Sequence, residues 1–149
     1  MSCYRELSNE ILVKKSYTLC KNIFYKNSKS YFIGSCLFPL HKFKHICSIY
    51  ALLRVADDIV DKNHNDKKVK LKLLKNSLFE LMELSWDDIY RRVTKEFRFY
   101  NSEDKVLLAV TITIKELRID NVFFERFFNS MLMDLQNLEY KNMNNLEVY

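Results

Sequence analysis

Glycine and proline are almost missing from this chain, since each occurs once in 149 residues. Tight turns between strands depend on these two residue types, so their scarcity argues against a sheet-rich fold and favours long helices. Apolar residues make up 48% of the sequence, which excludes a disordered chain. A chain of this length can bury a substantial core, and we expect residues 1–149 to form a single domain.

Disulfide and membrane-spanning signals are also lacking. The cysteines form no CxxC pair and follow no secretory signal, so we expect reduced thiols in a cytoplasmic protein. They are Cys3, Cys20, Cys36 and Cys47. The longest apolar stretch, residues 31–40, is too short to span a bilayer. These absences indicate a soluble protein or one that lies at the periphery of a membrane.

Positive charge is in modest excess, with a net charge of +5. The lysine-rich stretch between Lys62 and Lys75 is interrupted by Asp66 and by leucines, which is typical of a solvated helix face. No basic motif indicates a nucleic-acid partner. The excess is compatible with contact to anionic membrane surfaces or phosphorylated substrates.

Apolar residues recur with helical spacing along nearly the whole sequence. The alternation from Val110 to Ile114 would suit a strand by itself, but the helix signals on both sides of it favour a helix. Five predicted helices span about residues 7–25, 27–37, 39–63, 67–84 and 102–117. Two more are predicted to begin at about residues 85 and 121. The sequence therefore predicts an all-α fold.

Four polar residues follow one face of the third predicted helix, and we call them the polar stripe: Tyr50, Arg54, Asp57 and Asp61. At about 100° per residue, their side chains lie within roughly 60° of one another. An apolar stripe is predicted directly beside them, formed by Ile46, Ile49, Leu53, Ala56 and Val60. A polar stripe that borders a core stripe indicates a helix wall facing a polar cavity.

The two carboxylates of this stripe lie one turn apart, where like charges repel each other and disfavour the helix. A bound cation would remove that penalty. Mg²⁺ typically takes one or two carboxylates together with substrate phosphates, so the pattern predicts a magnesium–diphosphate site. An equally plausible interpretation of these acidic residues is a solvated, charged helix face. The apolar neighbours Val55, Ile59 and Val60 favour the magnesium–diphosphate site.

Histidines offer a weaker candidate metal site. His41 and His45 are one turn apart, as a zinc pair would be. No third ligand is evident, and both residues lie away from the polar stripe by the same angular estimate. We therefore interpret both as surface histidines.

Two segments resemble the squalene/phytoene synthase family. The sequence SKSYFIGSCLFP followed by IYALLRVADDIVD matches the family's serine-rich helix start and its first aspartate-rich motif. The later sequence SMLMDLQNLEYKNMNNLEVY is similar to a second family segment, with Ser130 in place of a common glycine. The resemblance extends from about Ser16 to Tyr149, and it implies an isoprenoid-synthase-like helical bundle.

The resemblance implies a farnesyl or geranylgeranyl transferase, which condenses two prenyl diphosphates head to head with Mg²⁺. The products of such enzymes are carotenoid, sterol or hopanoid precursors. Carried over to this sequence, Asp57 and Asp61 would ligate Mg²⁺, with support from Asp58, while Arg54 would contact the substrate. The other implied substrate contacts are Asn27, Ser28, Lys29, Ser30 and Tyr50, with Asn27 standing where the family often has histidine.

The second aspartate-rich motif of the family is not found in this sequence. Asp87, Asp88 and Asp134 are poor replacements, because none has a second acid one turn further along. The expectation is an incomplete bundle, either a fragment or half of a split enzyme, inactive alone. The alternative is a non-catalytic binding or assembly protein that retains the fold.

An incomplete bundle would leave apolar surface unpaired. The helices at 71–84 and 123–133 are expected to expose their apolar faces and to seek a complementary C-terminal half or a second copy. The substrate cavity of such a protein is dry and apolar. Its candidate lining residues are Phe32, Phe127, Phe128, Met131 and Met133.

Overall fold

The computed structural model describes residues 2–62, 65–95 and 101–146. These residues form helices joined by short connections, with no strand among them, which confirms the all-α prediction. The helices are α1 (Ser2–Asn27), α2 (Lys29–Ser35), α3 (Leu40–Asp61), α4 (Lys67–Glu83), α5 (Trp86–Lys95), α6 (Ser102–Leu117) and α7 (Asn121–Leu146). None of these helices combines the length and apolar composition needed to cross a bilayer.

Helix α6 is the centre of the fold. Every residue from Val106 to Ile114 is buried, which a helix achieves only when other helices cover all its sides. Helices α1, α3 and α4 all pack on α6, and α7 packs on α4. Complete burial explains the strand-like appearance of residues 110–114, because a helix that is covered all round needs no polar face.

The ends of α6 show how a glycine-poor chain terminates a helix. Asn101 accepts a hydrogen bond from the Asp104 backbone N–H at 2.8 Å, and the Asp104 carboxylate accepts one from the Asn101 N–H at 3.4 Å. At the other end Arg118 adopts the left-handed conformation, with φ at 53°. Glycine is usually preferred at this position, because a β-carbon makes the left-handed backbone conformation unfavourable.

The apolar face of α4 is buried, contrary to the expectation that residues 71–84 would be left open. Its buried residues are Leu71, Leu74, Leu78 and Met82. They recur at helical spacing, and α4 packs against α3, α6 and α7, which cover them. Helix α7 is mixed, since Phe124, Phe128 and Leu135 are buried whereas Phe123 and Met133 are exposed.

Most helix boundaries lie close to the predicted ones, with three differences. Helix α1 extends beyond both predicted ends, α2 ends at Ser35 instead of Leu37, and Pro39 precedes α3 instead of lying in its first turn. The predicted polar turn after α3 includes residues 63 and 64, which lie outside the described residues. The family-like segment at the C-terminus also ends outside them, at 147–149.

A buried cluster of polar side chains joins α1, α3 and α6, and we call it the polar core. Its centre is Thr113, whose Oγ1 lies 3.0 Å from Tyr17 Oη, 2.8 Å from His45 Nδ1 and 2.8 Å from Ser48 Oγ. Ser48 also donates a hydrogen bond to the His45 carbonyl oxygen. A hydroxyl has one hydrogen and two lone pairs, so Thr113 can pair with all three neighbours.

His45 belongs to this polar core, so its interpretation as a surface residue is wrong. Its side chain is 8% exposed, and its Nε2 lies 3.3 Å from Glu116. Burial lowers the pKa of His45 below its ordinary value, and the nearby Lys44 lowers it further, while Glu116 acts in the opposite direction. His41 is exposed, as predicted.

Candidate functional site

The polar stripe occupies the second half of α3. Leu52 and Ala56 anchor this part of the helix in the core, and Asp57 and Asp61 point to solvent. The predicted apolar neighbour Leu53 is 37% exposed, so it extends the accessible face instead of the core. The buried face of α3 is rotated from the predicted one because the helix packs on α1 and α6 through residues such as Cys47 and Ala51.

Arg54 lies at the middle of the stripe and is only partly paired. Its Nη2 lies 2.9 Å from Asp58 Oδ1, an ion pair one turn apart on the helix. Its Nε is buried, yet it has no hydrogen-bond partner among the described residues. A buried donor without a partner is costly, so the guanidinium retains capacity for an anion.

Asp57 and Asp61 form no ion pair with any other described residue. Loss of hydration raises the pKa of Asp57 above its ordinary value, and the Asp61 carboxylate is the next largest cause of the increase. Arg54 acts in the opposite direction and does not cancel the increase. The two carboxylates lie one turn apart on α3 and repel each other, and a bound cation would relieve this repulsion.

Phe24 connects the polar stripe with the start of α2. Its ring stacks on the Tyr50 ring at a centroid distance of 4.1 Å, and its carbonyl oxygen accepts a hydrogen bond from the Ser28 N–H at 2.9 Å. The segment 27–30 and the polar stripe thus lie on neighbouring parts of the molecule. The sequence alone did not indicate this role for Phe24, whose only signal was an apolar position in the first helix.

Residues 27–30 differ in how free their side chains are. Asn27 donates a hydrogen bond to the Ile23 carbonyl at 2.8 Å, so its amide is engaged in its own helix. Ser28 precedes α2 but makes no capping hydrogen bond with its side chain. Lys29 and Ser30 are exposed, and the Lys29 ammonium lies 5.8 Å from the centre of the Tyr25 ring. Ser28, Lys29 and Ser30 therefore remain accessible to an anion.

No group of three or more histidine, cysteine or acidic side chains close enough to hold a metal occurs among residues 2–62, 65–95 and 101–146. Two carboxylates one turn apart do suit Mg²⁺ when phosphate oxygens complete its coordination shell. The residues of the polar stripe therefore fit a metal that arrives with a diphosphate, and they do not form a metal site by themselves.

The predicted apolar cavity is not enclosed in the described residues. Phe128 is fully buried in the core, Phe127 and Met131 are half-buried, and Met133 is 62% exposed. Phe32 packs edge-to-face on Phe24 and Phe43.

A groove with a volume of about 1200 Å³ lies elsewhere, between α1, the start of α3 and α5. It includes none of the predicted site residues.

Comparison with known proteins agrees with the resemblance in the sequence. The family profile of squalene/phytoene synthase matches residues 24–149. A chloroplastic phytoene synthase from Narcissus pseudonarcissus is 25% identical over 138 residues, which cover 93% of this chain and 29% of that protein. This chain thus spans less than a third of that relative, and no solved structure matches it. Because the family profile covers most of the sequence, the chain belongs to the squalene/phytoene synthase family.

Proposed function

We propose that this chain provides one wall of a prenyltransferase site and binds a prenyl diphosphate together with Mg²⁺. Family membership supports a prenyltransferase-like role. The observation that carries the proposal is the pair Asp57 and Asp61, which lie one turn apart, repel each other and form no ion pair within the described residues. A metal ion bridging to diphosphate would relieve that repulsion.

The other residues of the polar stripe suit the same ligand. The partly exposed guanidinium of Arg54 can donate to phosphate oxygens, and Asp58 holds it in place through its 2.9 Å contact. Tyr50 would lie beside the diphosphate or the first part of the prenyl chain, fixed there by its stacking on Phe24. Ser28, Lys29 and Ser30 would approach from the start of α2.

Asp57 and Asp61 would hold Mg²⁺, which supplies charge neutralisation for the departing diphosphate when it is bound. The protein residues would contribute orientation of the diphosphate through Arg54. No group of three or more potential metal ligands lies within the described residues, so Asp57 and Asp61 would offer ligands from one side of a cavity only. We therefore propose that condensation of two prenyl diphosphates requires a second wall in addition to these residues.

Isothermal titration calorimetry tests the binding proposal. Farnesyl or geranylgeranyl diphosphate should bind the chain only when Mg²⁺ is present, and Asp57→Asn and Asp61→Asn should each weaken binding at least about tenfold. Asp87→Asn provides a matched control, because Asp87 is an exposed acid near the separate groove. Equal binding by the parent, Asp57→Asn and Asp61→Asn would show that Asp57 and Asp61 do not form the binding site.

Product analysis tests the proposed need for a second wall. Incubation of the purified chain with both diphosphates and Mg²⁺ should give no squalene-type or phytoene-type product. Turnover by a monodisperse monomer would show that the second wall is unnecessary. Absence of both binding and turnover would favour the alternative of a protein that keeps the fold for assembly alone.

A further inference from the structure

An exposed apolar tip lies between α2 and α3. We define the apolar tip as Tyr31, Ile33, Leu37, Phe38 and Leu40. Every one of these side chains is more than half exposed, and Leu37 and Leu40 are 89% and 87% exposed. Five large apolar side chains within ten consecutive residues form a patch that a soluble surface rarely displays without a partner.

The apolar tip is held in a defined position. Phe32, in the same segment, points inward and packs edge-to-face on Phe24 and Phe43 at centroid distances of 5.5 and 5.4 Å. The turn that follows α2 is closed by hydrogen bonds from the Leu37 N–H to the Gly34 carbonyl and from the Phe38 N–H to the Ser35 carbonyl. The exposed side chains are therefore presented by a packed turn.

The sequence around the apolar tip carries charge of one sign, although Leu40 also lines the groove that contains Glu6, Glu10 and Asp87. Residues 11–56 contain eight lysines and arginines and no aspartate or glutamate, whereas the rest of the chain carries a net charge of −3. Lys26 and Lys42 flank the tip in the sequence, are exposed, and form no ion pair with another described residue. Apolar side chains flanked by lysines are typical of segments that bind the interface of an anionic bilayer.

We propose that the apolar tip docks the chain on an anionic lipid bilayer, with Leu37 and Leu40 inserted among the headgroups and the flanking lysines on lipid phosphates. This docking goes beyond the proposed function, because it requires no diphosphate. Only the benefit of docking rests on the proposed function. Docking would hold Ser28 and Ser30, at the start of α2, near the membrane surface from which a prenyl substrate arrives.

Vesicle co-sedimentation tests the docking. The parent chain should bind phosphatidylcholine vesicles that contain phosphatidylglycerol, bind pure phosphatidylcholine far more weakly, and dissociate as salt is added. Leu37→Ser combined with Leu40→Ser should weaken binding at least about tenfold, because insertion of two leucines is lost. Lys26→Gln combined with Lys42→Gln should weaken it by several-fold, about 1 kcal/mol per lysine at the surface being typical.

Helix α4 supplies a matched control. Val69 and Leu73 are each 59% exposed, lie one turn apart and are surrounded by lysines. Val69→Ser combined with Leu73→Ser should leave vesicle binding within about twofold of the parent, since the proposal assigns no insertion to α4. Circular dichroism of every variant should match the parent, because all the replaced side chains are exposed.

Two results would overturn the proposal. One is equal vesicle binding by the parent and the Leu37→Ser/Leu40→Ser variant. The other combines vesicle sedimentation with analytical ultracentrifugation. If neither protein binds vesicles, and the parent self-associates while the Leu37→Ser/Leu40→Ser variant is monomeric, the tip binds a second copy of the chain. Asp57→Asn separates this test from the proposed function, because it should lose diphosphate binding and retain vesicle binding.

Discussion

The two halves of helix α3 use polar residues in opposite ways. The first half contributes His45 and Ser48 to the polar core, where both are buried and hydrogen-bonded to Thr113. The second half carries Asp57 and Asp61, which are exposed and face each other as like charges. Polar groups that the chain pairs internally hold the fold together, whereas those it leaves unpaired are available to a ligand.

This difference predicts that variants in the two halves will separate stability from binding. Variants of the polar core should change the free energy of unfolding and have little direct effect on a bound diphosphate. Variants of the polar stripe should do the reverse. Each prediction below tests one side of that separation.

The largest expected effect is on stability and follows Thr113→Val. The substitution leaves the Tyr17 hydroxyl and the His45 ring nitrogen without their shared partner in the core, and each unpaired buried group costs about 1–3 kcal/mol. We expect a loss of about 2–5 kcal/mol in the free energy of unfolding, measured by urea titration with circular dichroism.

Thr111→Val is its matched control. Thr111 is equally buried on the same helix, but its hydroxyl donates only to the Leu107 carbonyl one turn earlier. Loss of that local bond should cost less than about 1 kcal/mol. Similar losses for Thr111→Val and Thr113→Val would show that the polar core has no special role.

The next effect is on binding and follows Arg54→Gln. Loss of the guanidinium should weaken Mg²⁺-dependent diphosphate binding at least about tenfold, since a charge-assisted hydrogen bond to phosphate contributes about 1.5–3 kcal/mol. Stability should change by less than about 1 kcal/mol, because the Arg54–Asp58 pair is partly exposed to solvent. Calorimetry and urea titration measure the two quantities.

Arg92→Gln is the control for this comparison, because Arg92 forms a surface ion pair with Glu80 at 3.3 Å outside the polar stripe. It should not alter diphosphate binding. A similar loss of binding in both arginine variants would mean that overall charge, and not the polar stripe, attracts the ligand.

The pH dependence of stability should report His45. Burial lowers its pKa in the folded state, so the unfolded chain binds the proton first as pH falls. Stability is therefore fully present above the unfolded pKa of about 6.5 and is lost as pH decreases toward the lower folded pKa. The groups that face His45 are Tyr17, His41, Lys44 and Glu116. Urea titrations between about pH 7 and pH 5 should show this loss.

His45→Gln should flatten that dependence, and the exposed His41→Gln should not. If His41→Gln removes the dependence instead, the polar core is not its source. Asp57 acts in a separate and more acidic range: its raised pKa means that the folded state binds the proton first, so its contribution increases stability as pH falls toward about 4.

The smallest effect is a gain in stability from Asp61→Asn. Removing one of two repelling carboxylates on one helix face should stabilise the fold by about 0.2–0.5 kcal/mol. Asp66→Asn should have the opposite sign, because Asp66 lies 3.6 Å from Lys70 in a favourable pair one turn apart. Precise urea titrations of both variants check the two signs, and a loss of stability in Asp61→Asn would show that the carboxylates are paired within the chain.

The fold could be predicted from the sequence because its helices are long and regularly patterned. The spacing of Leu71, Leu74 and Leu78 identified α4, and the acidic residues after Asn101 identified the start of α6. The all-round burial of α6 could not be predicted, since a helix without a polar face has no period that distinguishes it from a strand at residues 110–114.

The polar core could not be predicted from the sequence. The angular positions of residues around a helix show which of them share a face, but not which other helix covers that face. His45 lies away from the polar stripe, which suggested solvent, but α6 covers that side of α3. Leu53 shows the converse, since an apolar residue beside the stripe is exposed. The roles of Asp57, Asp61 and Arg54 rest on their spacing and on the family resemblance, and they stay predictions until binding is measured.

The most direct measurement is the unfolding free energy of the parent and of Asp57→Asn, each with and without Mg²⁺ and geranylgeranyl diphosphate. A ligand that binds only the folded state stabilises it, by about 2.7 kcal/mol at a concentration of about 100 times Kd. The account predicts this gain for the parent and little or none for Asp57→Asn, with similar stability of the two proteins when no ligand is present. Equal gains in both proteins would contradict the assignment of the site to the second half of α3.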